Sequence, residues 1–178
     1  WDGTGVTVAV LDTGIDATHP DLADQIVASQ NFTEGEEEDG DFVGHGTHVA
    51  SIVAGTGAAS DQQLRGVAPG AGLLDGKVCV EYGCADSWIL AGMQWAVEQG
   101  ADVVNLSLGG PDTEGLDPLE EAVENLTEQF GTLFVIAAGN SGRNQTIDSP
   151  GSADAALTVG AVDKADELAF FSSRGPRI

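Results

Sequence analysis

The run Val6-Thr-Val-Ala-Val-Leu11, followed at once by Asp12-Thr-Gly-Ile-Asp16, restricts the fold more than any other stretch of the chain. An almost unbroken apolar run rich in β-branched residues reads as a strand buried on both faces. That is the habit of central strands in parallel sheets. Such a strand needs helices above and below it, so the rest of the sequence must supply them. The run also ends on a carboxylate. In open parallel α/β sheets, ligand and catalytic groups gather beyond the carboxyl ends of the strands. Asp12 is therefore the first candidate for chemistry.

The helices are present. Gly44–Ala54 is an apolar-periodic helix opened by glycines. Asp86 and Ser87 offer N-caps for a second helix reaching Glu98 and stopped by Gly100. Asp117-Pro-Leu-Glu120 is a strong third helix start, with a capping Asp, Pro in the first helical position and Glu three residues after the cap. That helix runs to Gly131. Further strands are expected over Ile26–Phe32, Leu73–Val80, Ala101–Leu106, Thr132–Ala138 and Ala155–Val162. Strands and helices alternating at this spacing predict an α/β fold. Its expected form is a three-layer, doubly wound parallel sheet with helices on both faces, in one domain over residues 1–178.

Composition limits the partners. Acidic residues number 29 against 6 basic ones, a net charge of -23. Nucleic acids and anionic membranes recruit Lys and Arg, so both are excluded as partners. The acidity reads as a solvated surface, or more sharply as that of a salt-adapted or extracellular protein. No stretch is long and apolar enough to span a membrane. The acidic loop Glu34–Asp41 reads as solvated in preference to a site for a cation or basic substrate. Cys79 and Cys84 admit two readings, a disulfide in an extracellular loop or two reduced thiols.

Two more polar groups stand beside Asp12. His45 sits between Gly44 and Gly46 at a helix start, where glycines allow backbone and ligand to approach closely. Asn140 ends the apolar strand in Ala137-Ala-Gly-Asn140, and a carboxamide there can donate to a developing negative charge. Each alone has a structural reading: a turn cap, a helix-start residue, a turn former. Together, at three sheet ends of one topology, they point to one crevice. His48 reads as a packed histidine rather than a second base or zinc ligand, and His19 as turn packing.

Asp12-Thr-Gly-Ile-Asp16, His45-Gly-Thr-His-Val-Ala50, Ser107-Leu-Gly-Gly110 and Ala137-Ala-Gly-Asn140 resemble, in order, the motifs of subtilisin-like serine proteases (peptidase S8). The resemblance covers nearly the whole chain. It implies a serine endopeptidase with an Asp-His-Ser triad. Asp12 then matches the residue that orients the imidazole, His45 the general base and acid, and Asn140 the side-chain oxyanion donor. Ser107, Leu108 and Gly109 match the segment that pairs with extended substrate, and Ala137, Ala138 and Gly139 a wall of the specificity pocket. Asn105 resembles a supporting residue beside them. The substrate is protein or peptide, and the implied location is secreted. In that setting Cys79 and Cys84 are expected to form a disulfide. Calcium is the implied cofactor, with Asp21 as an acidic ligand, although Thr56–Arg65 departs from the family's asparagine-rich loop.

The chain also departs from the family at the nucleophile. None of its serines (29, 51, 60, 87, 107, 141, 149, 152, 172 and 173) lies in the family's Gly-Thr-Ser motif. The resemblance is thus to an N-terminal part of the catalytic domain. These residues alone are expected to be inactive, and to expose a sheet face that self-associates or meets a second chain. The alternative is a non-catalytic peptide-binding module on a protease scaffold.

Overall fold

β1 (Thr7–Asp12) is buried from Val8 to its carboxyl end, as its composition requires. The computed structural model describes residues 1–35 and 39–178, so Glu36–Glu38 of the acidic loop lie outside the described residues. The chain divides into two compact units, Trp1–Asn105 and Leu106–Ile178.

In the first unit, β1 pairs in parallel with β3 (Gly72–Lys77) on one side and β4 (Val103–Leu106) on the other. β2 (Ile26–Asn31) pairs in parallel with the outer edge of β3. α1 (His45–Ala54) and α2 (Asp86–Glu98) cover opposite faces, because side chains alternate along a strand. Val8, Val10 and Leu73 pack with Ala50 and Ala54 of α1. Leu11 points the other way, toward Gly76 of β3 and Gly92 of α2. A Cβ at either glycine would overlap the Leu11 or Val78 side chain, so α2 sits on the sheet only because both are glycine. The first unit therefore has the three parallel-sheet layers that the sequence predicts.

In the second unit, β5 (Leu133–Ala137) pairs in parallel with β6 (Leu157–Val159), and α3 (Pro118–Phe130) packs on β5. α3 opens on a full capping box. Asp117 accepts from the Leu119 and Glu120 amides at 2.9 Å each, and Glu120 accepts from the Asp117 amide at 3.0 Å. Gly131 closes the helix in the left-handed region at φ 73°. Asp117→Ala is expected to lower unfolding stability by about 1–2 kcal/mol, and Asp117→Ser by much less, as read from urea midpoints. Equal losses in the two variants would show that the cap bonds contribute nothing.

Several boundaries differ from expectation: β3 ends at Lys77 rather than Val80 and β4 begins at Val103 rather than Ala101. Asp86 is the first residue of α2 rather than its cap; Ala85 holds the cap position without a side-chain bond. β6 stops at Val159 because the next backbone is drawn elsewhere. The Ala161 amide donates to Ser172 Oγ, and the Ala161 carbonyl accepts from Ala169. Among the described residues, no helix is long and apolar enough to cross a membrane.

Candidate active site

Asp12 ends β1, and its side chain is 3% exposed. The Asp12 carbonyl accepts from the Val78 and Cys79 amides at 2.8 and 3.0 Å, which ties the strand end to the segment leaving β3. Its carboxylate Oδ1 accepts from the Thr13 amide at 2.7 Å and lies 2.7 Å from His45 Nδ1. A carboxylate only accepts, so Nδ1 carries the proton in this bond. The lone pair of the neutral ring is then on Nε2, at the opposite edge, on a side chain that is half exposed. This arrangement can take a proton from a hydroxyl and hold the resulting imidazolium.

His45 reaches Asp12 because α1 starts against the Asp12 turn. A Cβ at Gly46 would land inside the Gly14 carbonyl oxygen, so only glycine allows this approach. Asp41, which the motifs do not single out, builds the helix start. Its Oδ1 accepts from the Val43 and Gly44 amides and the Thr13 hydroxyl, and its Oδ2 from the Thr47 amide and hydroxyl. Partial burial pushes the Asp41 carboxyl up, but the Thr47 and Thr13 hydroxyls and the Thr47 and Gly44 amides together outweigh it and hold the carboxyl below its usual range. Its signal in the sequence is an Asp shortly before an apolar-periodic helix.

The second unit places Ser107, Leu108 and Gly109 beside Ala137, Ala138 and Gly139 through one shared loop. Gly110 and Ser149 each donate an amide hydrogen bond of 2.9 Å to the other's carbonyl, and the Asp148 amide donates to the Ala138 carbonyl at 3.0 Å. Gly139 has φ +102°, and a Cβ there would overlap the Asp148 carboxylate. Asn140 follows it on the exposed surface. Burial, with Asp112 nearby, raises the Asp148 carboxyl above its usual range. Sequence reasoning misses Asp148, since nothing local distinguishes it.

The residues around Asp21 do not fit a calcium ion. Asp21 is buried, yet its Oδ1 accepts from the Ala59 amide at 2.7 Å and its carbonyl from the Thr56 amide at 3.1 Å. The loop thus turns N–H donors toward Asp21, where a calcium ion requires oxygens. Among the described residues, Asp112, Asp117 and Glu120 form a carboxylate group close enough to share a cation. Asp117 and Glu120 are used in the cap of α3, and Arg177 lies 3.7 Å from Glu120. Cys79 and Cys84 are joined in a disulfide that closes the Val80–Gly83 turn.

The model of the Subtilase family matches residues 3–178. The chain is 44% identical over 188 residues to the major intracellular serine protease of Bacillus subtilis (strain 168), covering 99% of this chain and 57% of that protein. It is 41% identical over 182 residues to subtilisin DY of Bacillus licheniformis, covering 100% of this chain and 64% of that one. The crystal structure of a cold adapted subtilisin-like serine proteinase matches with a TM-score of 0.84 at 32% identity, over 99% of this chain and 62% of that one. The chain thus spans less than two thirds of the length of these relatives. A family match along almost its whole length, together with a buried Asp12 bonded to a half-exposed His45 at the end of the central strand, shows that the chain belongs to the Subtilase family.

Proposed function

We propose that these residues supply the acid–base machinery of a serine endopeptidase that cleaves peptide bonds through an acyl-enzyme. The observation that supports this most is the 2.7 Å bond between buried Asp12 and His45 Nδ1. In this reading a serine hydroxyl loses its proton to His45 Nε2 as its oxygen attacks the peptide carbonyl. Asp12 stabilises the imidazolium without taking the proton. The imidazolium then protonates the leaving amine, and water repeats the cycle on the ester. Asn140 donates to the oxyanion. Ser107–Gly109 pairs with extended substrate backbone, and Ala137–Gly139 walls the pocket for one side chain.

The nucleophile in this proposal lies outside the 178 residues, because no serine here stands in the Gly-Thr-Ser context. The Cys79–Cys84 disulfide supports a location outside the reducing cytosol. Against it, two of the matched relatives are named as intracellular serine proteases. A fluorophosphonate probe and a chromogenic peptide test the reading. The full-length protein is expected to be labelled and to turn over substrate, and its His45→Ala variant to do neither. The 178 residues alone are expected to be inert. Labelling of any of the ten serines present, or activity that survives His45→Ala, overturns the proposal.

A further inference from the structure

Lys77 is a buried lysine, 4% exposed, at the carboxyl end of β3 directly beside Asp12 in the sheet register. Burying an ammonium group is costly unless its donors are satisfied. Its Nζ donates to the Thr13 carbonyl at 2.9 Å and the Gly40 carbonyl at 3.0 Å, and lies 5.4 Å from the centre of the Phe42 ring. The two carbonyls belong to the two segments that carry the Asp–His pair. Thr13 follows Asp12, and Gly40 precedes Asp41, which builds the start of the His45 helix.

Thr13 uses every polar group it has in this arrangement. Its amide donates to Asp12 Oδ1, its carbonyl accepts from Lys77, and its hydroxyl donates to Asp41 and accepts from the Gly46 amide. The Lys77 bond therefore sets the orientation of the residue that touches both Asp12 and, at Gly46, the helix that carries His45. Asp75 lies two residues earlier on the same strand face, 7% exposed, with one carboxylate oxygen lacking any hydrogen-bond partner. It lines a polar cavity of about 220 Å³ together with Lys77, Asn31 and Asp39.

We propose that Lys77, with Asp75 as its buried counter-charge, is a positioning residue that holds the Asp12 turn and the His45 helix in register. The role rests on the reading of Asp12 and His45 as a catalytic pair. Lys77 touches neither substrate nor the reacting atoms; it acts through Thr13 and Gly40. Burial pushes the Asp75 carboxyl up to about 7; the Ile15 amide and Lys77 oppose that rise, while Asp41 and Asp39 add to it. The counter-charge thus changes with pH in the range where a histidine base works.

The test uses the full-length protein with Lys77→Met, which keeps the stem and removes both bonds, and with Asp75→Asn. Lys77→Met is expected to lower kcat by about 10²-fold with KM within about twofold, the usual cost of misplacing a catalytic group by about 1 Å. The acid limb of the pH–rate profile is expected to move in opposite directions in the two variants. Loss of a cation near the imidazole favours the imidazolium, so the limb moves to higher pH in Lys77→Met, by about half a pH unit; loss of the anion moves it to lower pH in Asp75→Asn, by less, because the Asp75 carboxyl at about 7 is largely protonated over that limb. A purely structural role would not produce opposite shifts.

Proton NMR reads the pair without activity. The His45 Nδ1–H resonance should be visible at low field in the unaltered protein and lost to exchange in Lys77→Met. Its absence from the unaltered protein overturns the Asp12–His45 pair, and the positioning role with it. Its persistence in a folded Lys77→Met variant, with kcat within about twofold, overturns the positioning role alone. Should Lys77→Met not fold, an acid limb unmoved in Asp75→Asn decides against the proposal.

Discussion

Replacing Asp12 by Asn is expected to lower kcat of the full-length protein about 10⁴-fold while the protein still folds. That magnitude is the general one for the orienting carboxylate of serine-protease triads, of which subtilisin is a standard example. The structure explains why neither orientation of the amide rescues the site. Asp12 Oδ1 accepts from both the Thr13 amide and His45 Nδ1, whereas Oδ2 is buried with no hydrogen-bond partner. With the amide oxygen at Oδ1, both bonds survive, but the NH2 group is buried without an acceptor and the imidazolium loses its counter-charge. With the NH2 group at Oδ1, it faces the Thr13 N–H and drives the ring proton to Nε2, the edge that must act as base. Either way the transition state suffers more than the ground state, so KM should change little. Steady-state kinetics on matched pairs of protein would settle it, and a loss below tenfold would remove Asp12 from the mechanism.

The second large effect is on stability and comes from Asp75. Its carboxyl sits at about 7 when folded, above the usual 3.8, because burial penalises the charged form. A group raised in this way favours the folded state most when protonated. Its contribution is full below pH 4 and is lost as pH rises toward 7. The interval amounts to on the order of 4 kcal/mol at 1.36 kcal/mol per pH unit. Asp75→Asn cannot ionise, so it should show no such loss. The stability difference between Asp75→Asn and the unaltered protein is therefore expected to swing by up to about 4 kcal/mol in favour of Asn between pH 4 and pH 8. Urea unfolding at fixed ionic strength measures it. Fixed salt matters here, because a net charge of -23 makes self-repulsion sensitive to screening. Parallel pH curves for the two proteins would show that Asp75 is not buried as a charge.

The elements that were legible from sequence share one property: their signals are local. The valine-rich run marked β1, and Asp117-Pro-Leu-Glu120 marked α3 with its capping box. The glycines around His45 announced a close approach, and the structure shows it at Gly46 against Gly14. Asp12 and His45 could be paired through four ordered motifs, although 33 positions separate them. The end of β6 was not legible, because partners from Ala169 and Ser172 decide it.

The polar contacts around the site divide along the same line. Sequence alone determined the parallel α/β class, the buried central strand and the candidate base with its orienting carboxylate, since periodicity, caps and motif order are written in neighbouring residues. Only the tertiary structure decided what holds them in place. Lys77 reaches Thr13 across 64 positions, Asp21 turns to Ala59 across 38, and Asp41 closes on both Thr13 and the His45 helix. The physical reason is that a buried charge or amide takes whichever partner folding brings within hydrogen-bond reach, and no local pattern names that partner in advance.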